Sequence, residues 1–187
     1  DRRVGDQYAD AVDSMFVAMC DSNAALGSTM PDETESKSST YTDMRSVYME
    51  TRFRMERKHS EWPEEFVILS AYATTGQTWT HEQNRTADRQ LEAEMRALGG
   101  WLVRIEGYSP SSGHCEPSWA TVMPLGRAIE VGKRYKQDAI FHVHDEKLTV
   151  VYCDGRRPSQ PVASFLSRLD GRPNESDSRD ALREPTL

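Results

Sequence analysis

In the central part of the chain, segments whose apolar residues have the spacing of a strand are followed by segments whose apolar residues have the spacing of a helix. Residues 66–72 (FVILSAY) form a short continuous apolar run, which is typical of a buried central strand. The four residues 80–83 (Thr-His-Glu-Gln) match a capping box and predict the start of a helix. That helix runs to Leu98, because residues 99–100 are both glycine and favour a left-handed exit.

The same reading extends to residue 153. It predicts strands at 101–106 and 118–123, a helix at 125–136, and a hairpin of strands at 139–144 and 148–153. Residues 107–117 (GYSPSSGHCEP) are rich in glycine, proline and serine and predict a loop. The element order is therefore β-α-β-β-α-β-β. We expect an α+β fold with a single mixed or antiparallel sheet and helices packed on it.

The two ends of the chain differ in composition from this core. Residues 6–20 and 43–59 carry apolar side chains at helical spacing, and the polar segment 27–42 between them predicts a linker. The stripe of the second helix contains Met44, Val47, Tyr48, Thr51 and Met55. We therefore predict a helical N-terminal extension over 1–60, an α+β core domain over 61–155, and a short helix with a disordered charged tail over 156–187.

Charge and length exclude several classes of function. The 187 residues carry a formal net charge of −7, which disfavours binding to duplex nucleic acid because that requires a basic surface. No window of 18 apolar residues is present, so we expect no contact with a membrane. The three cysteines are widely spaced and odd in number, so no disulfide framework is expected and a cytoplasmic location is favoured.

A set of short motifs between residues 66 and 151 is similar to one known family. The matching residues are 66–72, Glu82, Asn84-Arg85, Leu91, Leu98, Gly107, Gly113-His114, Glu116-Pro117-Ser118, Ala128, Gln137 and Ala139-Ile140-Phe141. This part of the chain resembles the bacterial and phage family catalogued as domain of unknown function 3293. The resemblance supports the limits of the core domain and implies no activity, since none is assigned to that family.

The polar residues of the 107–117 segment form the first candidate site. A helix N-terminus attracts anions, and the loop is expected to close over the helix start near Thr80. We expect Glu116 and His114 to be catalytic, with Glu116 as a general base or as the acceptor for a ligand hydroxyl. The expected ligand-binding residues are Asn84, Arg85, Ser118 and Gln137. No cofactor and no metal are expected at this site.

Other readings of the same residues stay open. Glu116, Asn84 and Gln137 could instead hold a buried hydrogen-bond network. His142 and His144 lie on one face of a strand and, with His114 or Glu116, could bind zinc. Cys115, next to His114, could act as a nucleophile.

Two classes of function follow from these observations. The first is a module that binds a small polar or anionic, nucleotide-like ligand and has weak hydrolase or transferase chemistry. The second is a non-catalytic interaction or scaffold protein, whose methionine-rich N-terminal helices dock a protein partner.

Overall fold

The computed structural model describes residues 47–55, 59, 61–73 and 78–170. These residues contain an eight-stranded sheet: β1 (Arg52–Arg54), β2 (Glu65–Ser70), β3 (Leu102–Tyr108), β4 (Cys115–Thr121), β5 (Ala139–His144), β6 (Lys147–Tyr152), β7 (Gln160–Ser164) and β8 (Leu169–Asp170). Two helices, α1 (His81–Leu98) and α2 (Leu125–Arg134), lie between strands, and a 3-10 helix spans Leu166–Arg168. Residues 47–50 are also helical.

The strand order across the sheet is β7-β6-β5-β2-β4-β3-β1-β8. The β1–β8 pair is parallel, and the other neighbouring pairs are antiparallel. The sheet is therefore mixed. From β2 to β6 the chain follows the predicted order β-α-β-β-α-β-β, so the expected α+β fold is confirmed.

Helix α1 begins and ends where its sequence signals predict. The Thr80 side chain accepts from the backbone N–H of Gln83, and the Gln83 side chain accepts from the backbone N–H of Thr80, which completes the capping box. Gly99 follows the helix with a φ of 68°, a conformation that glycine adopts without steric cost. Leu91 and Met95 are the apolar residues of α1 that are buried.

The sheet has a hydrophobic cluster on each side, because successive side chains of a strand point to opposite faces. We call the side covered by α1 and α2 the helix face, and the other side the second face. The helix face carries Val67, Leu69, Trp119, Ile140 and Val151, which pack with Leu91, Met95, Ala128 and Val131 of the helices. The second face carries Phe53, Phe66, Ile68, Ile105, Ala120, Val143, Leu148 and Phe165.

The predicted helix over 43–59 is wrong in its second half. Residues 47–50 are helical, but Arg52–Arg54 form β1 and pair with β3 and β8. Phe53, at 1% exposure, lies in the second-face cluster. Local periodicity predicts a helix here because it carries no information about β3, which is distant in sequence. Backbone hydrogen bonds to the edge of β3 are what make residues 52–54 a strand. The predicted helix 6–20 and linker 27–42 lie outside the described residues.

The C-terminal part of the described chain also joins the sheet. Within 156–187, where a short helix is predicted, the described residues form β7, the 3-10 helix and β8, and Phe165 between β7 and the 3-10 helix is buried. In β8, the Asp170 carboxylate accepts two hydrogen bonds from Arg52 Nε, at 3.0 and 2.9 Å. The sheet thus extends beyond residues 61 and 155 on both sides. The predicted disordered tail, apart from Asp170, lies outside the described residues.

Among the helices that the structure describes, none combines the length and the apolar character needed to cross a membrane.

The two glycines of α2 give a matched test of the packing on the helix face. A Cβ at Gly132 would lie 2.7 Å from Cys153 Sγ and 3.0 Å from Ile140 Cγ2, so Gly132→Ala should lower the free energy of unfolding by about 1–3 kcal/mol. A Cβ at Gly126 meets nothing within 4 Å, so Gly126→Ala should raise it by about 0.5–1 kcal/mol. Urea unfolding of both variants measures the two changes. Equal changes of the same sign in the free energy of unfolding would contradict the close packing of α2 at Gly132.

Candidate functional site

A cavity of about 70 Å³ lies on the second face, where β2 ends and β5 begins. Its lining comes from segment 47–53 and from four strands and their adjoining loops. The polar lining residues are Tyr48, Thr51, Ser70, Tyr108, Ser109, His114, Glu116, Ser118 and Gln137, and the others are Val47, Phe53, Ile68, Gly107, Ala139, Ile140 and Phe141. Four of the six predicted site residues therefore line one cavity.

Strand β4 decides which way Glu116 points. The strand begins at Cys115 and not at Ser118, so Glu116 belongs to a strand and not to a loop. Side chains alternate along it: Trp119 lies on the helix face, while Ala120 lies on the second face. Glu116 and Ser118 lie four and two positions before Ala120 in the strand, so their side chains point to the second face as well. The expected closure of an acidic loop over the start of α1 is therefore wrong.

Asn84 and Arg85 lie at the start of α1, and the lining of this cavity leaves both out. The Asn84 Oδ1 atom accepts a hydrogen bond of 2.9 Å from the backbone N–H of Ala73, just after β2. Arg85 forms a salt bridge of 2.8 Å with Glu82, one turn earlier in the helix. Asn84 thus binds the backbone just after β2, and Arg85 forms an ion pair with Glu82 on the surface of α1.

His114 and Glu116 form a pair at the cavity wall. The His114 Nε2 and Glu116 Oε1 atoms lie 2.9 Å apart. The hydrogen bond to the Glu116 carboxylate, supported by its negative charge, raises the pKa of His114 above its usual value, against the opposing effect of partial burial. The carboxylate thus holds a proton on the imidazole to a higher pH, and the pair can exchange a proton with a bound group.

Ser118 and Gln137 face the cavity while also bonding to the backbone. The Ser118 hydroxyl donates to the Glu116 carbonyl oxygen at 3.2 Å. The Gln137 amide donates from Nε2 to the Tyr72 carbonyl oxygen at 2.8 Å and to that of Tyr135 at 3.2 Å. Gln137 thus links the exit of β2 to the end of α2.

Tyr48 covers the cavity from the helical segment 47–50. Its ring meets Phe141 and Tyr152 edge-on, with centroids 6.3 and 6.2 Å away, and its hydroxyl donates to Asp138 Oδ2 at 3.4 Å. Burial, followed by the negative charges of Asp138 and Glu116, raises the pKa of Tyr48 far above its usual value. Tyr48 therefore stays a neutral phenol that donates a hydrogen bond.

A second contact fixes the same segment from the side of the β3–β4 hairpin. The Glu50 carboxylate accepts hydrogen bonds from the hydroxyl groups of Ser109 and Ser111. These bonds lower the pKa of Glu50 below its usual value. The cover over the cavity is thus attached at two points, Tyr48 and Glu50.

Sequence reasoning missed five polar lining residues: Tyr48, Thr51, Ser70, Tyr108 and Ser109. For two of them a signal existed. Ser70 is the one residue with an aliphatic hydroxyl within the apolar run 66–72, which marks it as a polar point in a buried strand. Tyr48 lies on the apolar stripe of the predicted second helix, but its contact with β5 is distant in sequence and leaves no local pattern.

The two strand histidines lie at the other end of the sheet from His114. Glu65 pairs with His144 in the β2–β5 register, whereas Ser118 pairs with Ser70. The rings of His142 and His144 stack with centroids 6.3 Å apart, and His142 Nε2 lies 2.9 Å from Glu65 Oε1. The zinc arrangement with His114 or Glu116 is therefore not formed.

Two further features bear on metal and cysteine chemistry. Ligand atoms of Glu64, His144 and Asp145 all lie within 4.8 Å of one another, and these exposed groups could together hold a cation. Cys115 is disulfide-bonded, although the cysteine pattern predicts no disulfide framework. As a disulfide it offers no thiolate for nucleophilic attack.

A family model covers part of the chain that builds this cavity. It matches residues 69–140 and is described as a protein of unknown function (DUF3293). The predicted resemblance is confirmed. The matched segment runs from β2 to the start of β5 and includes His114, Glu116, Ser118 and Gln137. Neither a curated protein nor a solved structure matches the chain.

The His114–Glu116 pair predicts a pH dependence with a definite sign. A raised pKa in the folded state stabilises the protonated imidazole. The contribution of the pair to stability is therefore fully present below the pKa of the unfolded histidine and is lost as pH rises through the folded value. Glu116→Gln should lower the pKa of His114, measured by NMR titration of the ring protons.

The matched control for this titration is Glu130→Gln, which removes an exposed carboxylate on α2 that pairs with Lys133 at 2.9 Å. It should leave the titration of His114 unchanged. A His114 titration that is the same in wild type and Glu116→Gln would show that the two side chains do not interact in solution.

Proposed function

We propose that the cavity binds the end of a small, neutral, polar ligand and that the His114–Glu116 pair exchanges a proton with it. The observation that carries the proposal is the convergence of His114, Glu116, Ser118 and Gln137 on one cavity of the second face. Hydroxyl, amide, imidazole and carboxylate groups in one concave site are typical of a small-molecule site.

The charges around the cavity favour a neutral group over an anion. Among the described residues, its lining contains the Glu116 carboxylate and no lysine or arginine. A ligand carboxylate or phosphate would meet this negative charge without a permanent cation to offset it. Of the two ligand classes expected from sequence, the polar one is therefore retained in the proposal and the anionic one is dropped.

The size of the cavity limits what can enter. A water molecule takes up about 30 Å³ in the liquid, so a cavity of about 70 Å³ holds a group of only a few non-hydrogen atoms. Phe53, Ile68 and Phe141 supply apolar contact beside the polar groups. The ligand is thus a short hydroxyl- or amide-bearing molecule, or a longer one that inserts such an end.

Glu116 and His114 can divide the proton chemistry between them. An ionised carboxylate only accepts hydrogen bonds, so His114 Nε2 donates to Glu116 Oε1 and the neutral imidazole keeps its other nitrogen as an acceptor. Such an imidazole takes a proton from a ligand hydroxyl or water as a general base and returns it as a general acid. Hydrolysis or group transfer is the reaction class that this pair supports.

The alternative of a scaffold that docks partners through its N-terminal helices has less support. Val47, Tyr48 and Thr51, three members of the apolar stripe predicted for the second N-terminal helix, line the cavity. In the described residues this part of the stripe is thus occupied by contacts within the chain.

Binding is tested with matched neutral and anionic probes. Acetamide and glycolamide should shift the ring resonances of His114 in NMR spectra, while acetate and glycolate at equal concentration should not, because of Glu116. Ser118→Ala should weaken amide binding by about fivefold, which corresponds to one hydrogen bond of about 1 kcal/mol.

Gly107 offers a variant that fills the cavity without touching its polar groups. It lies opposite Glu116 in the β3–β4 register, and a Cβ there would lie 3.6 Å from Phe53 Cε1 and 3.7 Å from Thr51 Cγ2, an ordinary contact distance. Gly107→Ala should reduce amide binding and leave the urea midpoint unchanged or higher.

Arg85→Gln is the matched control, since Arg85 lies outside the cavity lining, and it should leave binding intact. Loss of binding in Arg85→Gln but not in Gly107→Ala would place the site at the start of α1 and refute the proposal.

A further inference from the structure

A second, larger concavity lies at the other end of the second face. Its volume is about 690 Å³, within the range of ligand-sized pockets. Its lining comes from the start of β2 and the residues before it, from the end of β5 and the β5–β6 turn, and from the residues after β7. The lining residues are Glu61, Trp62, Pro63, Glu64, Phe66, Val143, Asp145, Glu146, Phe165 and Leu166. We call it the acidic groove. Among the residues that the structure describes, none lines both this groove and the first cavity.

The floor of the acidic groove is aromatic and firmly packed. The Trp62 ring stacks on Phe66 with centroids 5.2 Å apart and meets Phe165 edge-on at 4.7 Å. Phe66 and Phe165 are each only 1% exposed, so they anchor Trp62 from below. Leu166, at 46% exposure, adds an apolar side chain to the rim. An aromatic ring held in this way attracts cations through its π face.

The charged lining is of one sign. Four carboxylates, those of Glu61, Glu64, Asp145 and Glu146, line the groove, and the lining residues that the structure describes include no lysine or arginine. Within the described part of the chain no salt bridge joins these carboxylates to a lysine or arginine. Asp145 has a histidine neighbour, His144 Nδ1, at 4.0 Å. The field in the groove therefore favours a cation.

The backbone holds the two sides of the rim together. The Asp145 N–H donates to the Glu64 carbonyl oxygen at 3.0 Å, and the Phe165 N–H donates to the Glu146 carbonyl oxygen at 2.6 Å. The carboxylates thus stand on two segments that are bonded to each other, and the turn between β5 and β6 is also bonded to Phe165, so the groove is formed before any ligand arrives.

We propose that the acidic groove docks a basic segment of a protein partner, with arginine or lysine side chains on the carboxylates and an apolar side chain against Trp62 and Leu166. Charge complementarity favours this occupant, because four carboxylates can pair with more than one arginine or lysine of the segment. The apolar floor can contact an apolar side chain that lies between two such basic residues. The long stems of arginine and lysine also pack on aromatic surface while their charged ends reach the rim.

The docking test uses the tripeptide Ac-Arg-Leu-Arg-NH2 and its citrulline counterpart, Ac-Cit-Leu-Cit-NH2. Citrulline has nearly the shape of arginine but no charge. The arginine peptide should shift backbone resonances of residues 61–66 and 143–146 in 15N NMR spectra, and its affinity should fall as salt is raised. The citrulline peptide should bind at least tenfold more weakly.

The matched variants carry equal changes of charge. The double variant Glu64→Gln/Asp145→Asn should lower the affinity for the arginine peptide by about five- to tenfold, since an exposed pair contributes up to about 1 kcal/mol. The control Glu82→Gln/Glu130→Gln also removes two exposed carboxylates, which pair with Arg85 at 2.8 Å and with Lys133 at 2.9 Å, and it should leave the affinity unchanged.

Several results would overturn the proposal. Equal binding of the two peptides would show an apolar groove without charge selection. Shifts confined to other residues, or none at millimolar peptide, would show that no basic segment docks here. Selective broadening of His144 by Mn²⁺ without any peptide effect would assign Glu64, His144 and Asp145 to a metal ion instead.

Discussion

The position of β4 between β2 and β3 is the constraint on which the functional geometry depends. Ser118 pairs with Ser70 on one side and with Ile105 on the other, so its register is fixed from both neighbours. A shift of one residue would exchange the two faces of the strand, placing Trp119 on the second face and Glu116 on the helix face. The buried Trp119, whose indole N–H donates to Asp88 at 3.1 Å, resists such a shift. Packing on one face thereby fixes the chemistry of the other.

The same register creates the space for a ligand. Gly107 lies opposite Glu116, and at this point β3 presents no side chain to the second face. The neighbouring Phe53 and Thr51 come from β1 and the residue before it, and the helical segment 47–50 then covers the opening. This helical segment is held in place by a hydrogen bond from Tyr48 to Asp138 and by hydrogen bonds from the serines of the hairpin loop to Glu50. The cavity thus depends on residues far from it in sequence.

The sequence predicts the core elements because their signals are local. The capping box at Thr80, the run 66–72 and the alternation of 139–144 each lie within a few residues, and each gives its element. Residues 47–55 are different, because local periodicity favours a helix while pairing with β3 converts Arg52–Arg54 into a strand. The pairing of two strands that are distant in sequence cannot be inferred from the local sequence of one of them.

The candidate site shows the same division. Residue types identified His114, Glu116, Ser118 and Gln137, and all four line the cavity. The grouping with Asn84 and Arg85 failed because it assumed a loop at residues 115–117, where β4 has already begun. One misplaced strand boundary turned the acidic side chain toward the wrong face. The two concavities of the second face, one mostly neutral and one acidic, were not predictable because each combines segments distant in sequence.

The central claim is that the Glu116 side chain lies on the second face, away from α1. Side-chain NOE spectra of the full chain test it most directly. The account predicts cross-peaks that link Glu116 or Ser118 to at least one of Tyr48, Ile68 and Phe141. Cross-peaks from Glu116 to the side chains of Asn84 or Arg85 would contradict it.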